Sequence, residues 1–223
     1  MNFDPTLAAL WVLPFLIAVV FHEWAHGYVA SRLGDDTAER AGRLTLNPLA
    51  HIDPIGTIVL PLMLLWSGAP MFGWAKPVPV AFHRLRNPLR DMVWVAAAGP
   101  LMNLAVAVAS ALLRALILQL QDAAPEGAAG GFLVAEPLAL MCQLSLRLNL
   151  VLAVFNMLPI PPLDGGRVAV GLLPRRLGAA LAQIEPYGFF IVVALLWTNV
   201  LGVVLGPVIH LLLRLIGAVV PVF

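Results

Sequence analysis

The chain has 223 residues, of which 61% are hydrophobic and 11% charged, with a mean hydropathy of +0.93. Soluble domains carry about 25% charged residues, so a polytopic membrane protein is the class that fits. A net charge of +1 without any basic tract gives no hint of nucleic acid, and none is expected as a partner; one cysteine, Cys142, excludes an internal disulfide and any thiolate zinc site. The apolar start has no basic flank of the signal-peptide kind and is expected to be retained.

The first apolar run spans roughly Leu7 to Leu33 and is long enough to cross a bilayer. Inside it stands His22-Glu23-Trp24-Ala25-His26. Two histidines four apart share one helix face and can bind one metal, and the glutamate between them can act as a base toward a water. Ionisable groups at that depth are costly, which makes them a functional-site hypothesis by default. The bland alternative, two core histidines bonded to backbone, needs a polar helix face that this run lacks.

A polar stretch follows. Gly42-Arg43-Leu44-Thr45-Leu46 alternates as a short strand does, and Asn47-Pro48 and Asp53-Pro54 punctuate what comes next. Ile55 to Trp66 is apolar but short, a tilted or re-entrant helix interrupted by Pro61. Gly73 to Val80 contains Pro77 and Pro79 and cannot be regular helix. Asp91 to about Leu120 and Leu138 to Leu158 read as transmembrane helices. The second of these ends in Pro159-Ile160-Pro161-Pro162, followed by Leu163, Asp164, Gly165 and Gly166. A short helical piece from Leu163 to Leu173 stops at Pro174-Arg175-Arg176. Tyr187 to Val220 is too long for one crossing, and Gly202, Gly206 and Pro207 predict a kink there, leaving one crossing or two.

A site built on His22 and His26 needs a third protein ligand and one open position. His51, His83, His210 and the few acids are candidates. Asp164 leads, because irregular backbone beside an apolar span is tolerated only where protein or a water-filled cavity surrounds it. A solvated turn at the membrane edge is the competing account of Asp164. His51 reads as a loop residue or a group behind the site. Asn103 is a polar group in an apolar helix that needs a buried partner or a substrate to bind.

Charge gives the orientation. Arg32, Arg40, Arg43, Lys76, Arg84, Arg86 and Arg90 flank or fill the stretch from 32 to 90, whereas the 121–137 stretch has Asp122, Glu126 and Glu136 but no Lys or Arg. The positive-inside rule places the N-terminus outside and residues 34–90 in the cytoplasm. His22 then lies about 15 Å in from the cytoplasmic edge, at about 1.5 Å per helical residue.

Taken together, His22-Glu23-x-x-His26, Gly99-Pro100-Leu101-Met102-Asn103 and Asn156-x-x-Pro159-x-Pro161-Pro162-Leu163-Asp164-Gly165 resemble the site-2 protease family of intramembrane zinc metalloproteases, peptidase family M50. Residues 42–48 and 73–78 further resemble its small bacterial members, so the likeness covers about residues 7 to 217. The resemblance implies one Zn2+ per chain held by His22, His26 and Asp164, with Glu23 as catalytic base. It also implies that Asn103 contacts the substrate strand or the oxyanion. The fold it implies is an all-α polytopic membrane protein in a single domain, residues 1–223. About five to six transmembrane or re-entrant helices would surround a three-helix catalytic core, with a small β element near residues 42–47 to pair with substrate. It departs from many members in having no PDZ domain between the second and third core helices. The expected partners are the lipid bilayer and transmembrane protein or peptide substrates, in a bacterial inner (plasma) membrane with the active site toward the cytoplasm. The oligomeric state stays open. A non-proteolytic zinc-binding membrane protein, a transporter or a degenerate scaffold, is the alternative.

Overall fold

A computed structural model describes residues 5–67, 75–123, 129–198 and 200–220. Gly73, Trp74 and Glu126, used in the sequence reading, lie outside them. The helices, in chain order, are α1 (Pro5–Arg32), α2 (Thr37–Arg40), α3 (Leu60–Ser67), α4 (Pro88–Asp122), α5 (Ala129–Asn156), α6 (Asp164–Leu172), α7 (Arg175–Ala182), α8 (Gly188–Trp197) and α9 (Val200–Val219). Among the described residues, five stretches are long and apolar enough to cross a membrane: Leu10–Arg32, Pro88–Asp122, Val134–Asn156, Arg175–Trp197 and Val200–Val219. The expected all-α polytopic architecture is therefore present.

The core is α1, α4 and α5. Helices α4 and α5 make the most extensive contact, and α1 packs on both. The fit comes from small residues. Ala107, Ala111 and Ala115 of α4 are buried against Leu146 and Leu150 of α5, and Leu212, Leu213 and Ile216 of α9 close the same cluster. Between apolar helices in lipid there is no hydrophobic drive to associate, so close approach over small residues supplies the packing energy. Many large apolar side chains, such as Leu112, Leu116, Phe190 and Val203, stay exposed on the outside, as a lipid-facing surface requires.

Helix α1 stops after Arg32 because the chain turns at Gly34, whose φ of +111° suits glycine and few other residues. Buried Asp35 then accepts the backbone N–H of Thr37 at 3.1 Å, the Thr37 hydroxyl, and the N–H of Ala81 at 2.6 Å. This carboxylate ties the 34–37 turn to the extended stretch before α4. The Asn-Pro and Asp-Pro pairs prove to be helix starts. Asn47 accepts the N–H of Leu49 at 3.1 Å, and Asp53 accepts those of Ile55 and Gly56 at 3.0 and 2.7 Å, each with proline at the first helical position. The predicted short apolar helix begins at Pro54 as a widened π turn over Pro54–Val59 and continues into α3 through Pro61.

Two expectations are corrected. The β element near residues 42–47 does not form, and no strand occurs among the described residues. The alternating pattern there has no partner strand. Its polar groups are met by turns and side chains instead: Arg43 N–H donates to Ala38 at 2.9 Å, Asn47 N–H to the Thr45 hydroxyl at 3.1 Å, and Thr45 C=O bonds His51 Nε2 at 2.8 Å. The second concerns the C-terminal run. It divides between Trp197 and Val200 rather than at Gly202, Gly206 or Pro207, which all lie within α9. The Thr198 hydroxyl donates back to the Ala194 carbonyl at 2.8 Å and caps α8, so the chain turns there.

The alanine seam yields a stability prediction. Ala111, fully buried between α4, α5 and α9, should not tolerate a larger side chain. Ala111→Leu is expected to destabilise the protein by about 1–3 kcal/mol, the usual range for overpacking. Thermal or denaturant unfolding in detergent checks this, and an unchanged midpoint would mean the seam is looser than described.

Candidate metal centre

Helix α1 presents His22 and His26 one turn apart on the face that packs against α4. The Nε2 atoms of the two rings lie 3.0 Å from each other. Asp164, at the start of α6, brings Oδ2 to 3.2 Å from His22 Nε2 and 3.4 Å from His26 Nε2. All three residues are buried or nearly so. They are the one group of candidate metal ligands found among the described residues. His51, His83 and His210 are not part of it.

Hydrogen bonds behind the rings say what the front can do. His22 Nδ1 lies 2.6 Å from Asn103 Oδ1, and His26 Nδ1 lies 2.7 Å from the Val95 carbonyl. Both partners are acceptors, so each Nδ1 carries the hydrogen and, in the neutral ring, each Nε2 is a bare lone pair. Three lone-pair atoms so close together need a cation among them. Asp164 Oδ2 is buried and makes no hydrogen bond of its own, an orphan that elsewhere would cost about 1–3 kcal/mol. The edges of a zinc tetrahedron are about 3.3 Å when ligands lie roughly 2.0–2.1 Å from the ion. The three observed separations bracket that value, so the residues fit a zinc ion, and the N2O donor set suits it.

The loop from Asn156 to Asp164 delivers the carboxylate. It folds on itself through Ile160 N–H to Leu158 C=O at 2.8 Å and Leu163 N–H to Ile160 C=O at 2.9 Å. Gly165 and Gly166 pack directly against the backbone of Met157, Leu158 and Pro161, where a Cβ has no room. Gly99 of α4 plays the matching role on the other side. A Cβ there would fall 2.7 Å from His22 Nε2 and closer still to His26.

Glu23, half-buried on the next face of α1, accepts the backbone N–H of Val78 through Oε2 at 2.7 Å. The 75–80 stretch is extended, anchored by Lys76 N–H to the His51 carbonyl at 2.9 Å and by Arg43 Nη2 to the Lys76 carbonyl at 2.8 Å. His22 and Glu23 open onto a cavity of about 280 Å³, otherwise walled mainly by apolar side chains including Phe15, Val19, Leu152, Phe155 and Val192, with Asn156 at its edge.

The sequence reading paired the Asn103 side chain with substrate or oxyanion. In the structure that side chain is fully buried behind His22, with Nδ2 donating to Ala18 C=O at 3.0 Å and to Asn149 Oδ1 at 2.8 Å. It faces away from the cavity. Val95, Gly99, Val78 and Asn149 were not singled out individually. A backbone carbonyl or amide leaves no sequence signal. Ser145 and Asn149, four apart in a largely apolar span that also holds Arg147, do leave one.

A helix-borne histidine pair with a buried carboxylate, set within apolar spans, defines a membrane metallopeptidase. Comparison with known proteins gives the family. The model of peptidase family M50 matches residues 128–199. The chain is 38% identical over 203 residues to "Putative zinc metalloprotease YwhC" of Bacillus subtilis, spanning 89% of this chain and 85% of that one. It is 32% identical over 193 residues to "Putative zinc metalloprotease Rip2" of Mycolicibacterium smegmatis, spanning 86% of this chain and 68% of that one. No solved structure matches significantly. The chain belongs to peptidase family M50, the site-2 protease family, and is a metalloprotease.

Gly99→Ala tests the cradle. The added methyl should push the two imidazoles apart and weaken metal binding by about tenfold or more, on the scale seen when groups that orient metal ligands are lost. Titration against a competing chelator reads this, with circular dichroism confirming that helix content is unchanged. Wild-type affinity would show that the rings have slack at Gly99.

Proposed function

We propose that this chain is an intramembrane zinc endopeptidase that hydrolyses peptide bonds within or near transmembrane segments of other proteins. The observation that carries the reading is the placement of the candidate centre. His22, Glu23 and His26 lie within an apolar membrane-length helix, and the cavity onto which His22 and Glu23 open is walled mainly by apolar side chains of α1, α5 and α8. A soluble peptide has little reason to enter such a site, whereas an apolar segment held in the same bilayer does.

In this reading His22, His26 and Asp164 bind one zinc ion, which when bound acidifies a water and polarises the scissile carbonyl. Glu23 takes a proton from the attacking water and returns it to the leaving amine. Its Oε2 is held by the Val78 amide, which fixes the carboxylate on the cavity side of the His22 ring. Asn103 is a positioning residue: it holds the His22 ring in the tautomer that leaves Nε2 free. Substrate backbone must arrive unwound, because the carbonyls of an intact helix are internally bonded.

The bilayer is the bacterial plasma membrane in this reading, with the N-terminus outside and the centre open toward the cytoplasm. The support is the basic run from Arg32 to Arg90 at one end of the α1–α4 pair and the absence of Lys and Arg from 121–137 at the other. Residues 1–223 act as one catalytic domain.

Glu23→Gln is the primary test. The amide cannot accept the water proton, so cleavage of a transmembrane reporter peptide in detergent or liposomes should fall by about 10²–10⁴-fold, the usual weight of a general base. Metal content should stay at one zinc per chain, and Asp164→Ala should lose it. Retained cleavage in Glu23→Gln would sink the assignment of the base, and retained zinc in Asp164→Ala would sink the ligand set.

A further inference from the structure

The hydrogen-bond chain behind His22 does not end at Asn103. Asn103 Nδ2 donates to Asn149 Oδ1 at 2.8 Å, and Asn149 Nδ2 donates in turn to the Ser145 carbonyl at 2.8 Å and the Ser145 hydroxyl at 3.2 Å. The Ser145 hydroxyl meets that of Ser110 at 2.8 Å. Asn103 and Asn149 are fully buried, and both serines are buried. The chain crosses from α5 to α4 to α1 inside the apolar core.

We infer that Asn149 is a positioning residue for the metal centre: it fixes the orientation of the Asn103 amide and thereby the tautomer of His22. The Ser145 carbonyl can only accept, so the Asn149 NH2 must face it, leaving Asn149 Oδ1 turned to Asn103. Asn103 then sees two oxygen acceptors, Ala18 C=O and Asn149 Oδ1, on one side, and both hydrogens of its NH2 are used there. Its own oxygen is left for His22 Nδ1. Turning the Asn103 amide over would set its oxygen against two other oxygens in a medium where no water relieves the repulsion. His22 therefore carries its hydrogen on Nδ1, and Nε2 stays free to bind metal. Remove the Asn149 oxygen, and Asn103 keeps one acceptor where it had two, so the flipped amide and the opposite His22 tautomer become accessible.

The inference rests on the ligand set proposed above, but its test reads metal affinity and ring tautomer rather than cleavage. A protein that binds zinc and cuts nothing would overturn the protease reading while leaving this inference standing. Asn149→Leu keeps the volume and deletes the acceptor. It is expected to weaken zinc binding by about tenfold, the lower end of the range for groups that orient metal-binding imidazoles. Asn149→Asp, whose neutral carboxylic acid can donate to the Ser145 carbonyl while its other oxygen faces Asn103, should recover most of that loss. Ser110→Ala, at the far end of the chain, should cost stability without moving zinc affinity. An unchanged affinity in Asn149→Leu would overturn the inference. So would equal losses in Asn149→Leu and Asn149→Asp, or in Ser110→Ala, since packing and not the acceptor would then be responsible. Should Asn149→Leu fail to fold, Asn149→Ala removes the same acceptor with less disturbance. In metal-free protein with 15N-labelled histidine, His22 is expected to be purely Nδ1-protonated in the wild type and mixed in Asn149→Ala. A single Nδ1-protonated tautomer in both would overturn the inference equally.

Discussion

Three lone-pair atoms, His22 Nε2, His26 Nε2 and Asp164 Oδ2, lie within hydrogen-bond distance of one another with no hydrogen donor between them in the neutral rings. In a low-dielectric interior this arrangement is stable only around a cation. Much of the core can be read as a means of holding it. Helix α1 fixes two of the atoms one turn apart. The α5–α6 loop brings the third from more than a hundred residues away. Gly99 of α4 leaves the space in front of the rings clear. The Val95 carbonyl and the Asn103 amide oxygen fix both rings from behind.

The close packing of α1, α4 and α5 follows from the same requirement. A bulky residue on α4 at position 99 would part the imidazoles, and bulky residues at 107, 111 or 115 would part α4 from α5 and carry Asn149 away from Asn103. Small residues along α4 thus serve packing and polar alignment together. The glycines at 165 and 166 do the same for the loop, which comes within contact of its own backbone before α6 begins. Separating these contacts by even about 1 Å would lengthen good hydrogen bonds into poor ones.

The sequence made much of this legible, for identifiable physical reasons. Ionisable residues in an apolar run have few innocent explanations, so His22, Glu23 and His26 stood out. Prolines and glycines around Asp164 announced irregular backbone beside a span. Length and hydropathy located the crossings. What escaped depended on partners that spacing does not encode. The alternation at 42–46 looked like a strand, but a strand exists only with a neighbour to pair with, and here Arg43, Thr45 and Asn47 find turn and side-chain partners instead. Gly202, Gly206 and Pro207 lie within α9, and the break between α8 and α9 falls before them, after Trp197, where no glycine or proline marks it. Asn103 carries a substrate or oxyanion role only by resemblance, and its bonds to His22, Ala18 and Asn149 are ones that spacing does not encode.

That last point bears on how a metallopeptidase differs from a metal carrier built of similar parts. A transporter needs ligands that let go, distributed along a path and open to exchange. Here the candidate ligands gather at one depth, and each imidazole is locked from behind by an acceptor that is itself buried. The amide of Val78 holds Glu23, which is not one of the candidate ligands, in the wall of a mainly apolar cavity. A carrier would gain nothing from fixing a carboxylate beside a tightly held ion. A hydrolase gains a base placed where water and an apolar segment can meet. The hydrogen bonds behind the rings and the cavity beside His22 and Glu23 are what a fixed metal centre with an exchanging substrate would require.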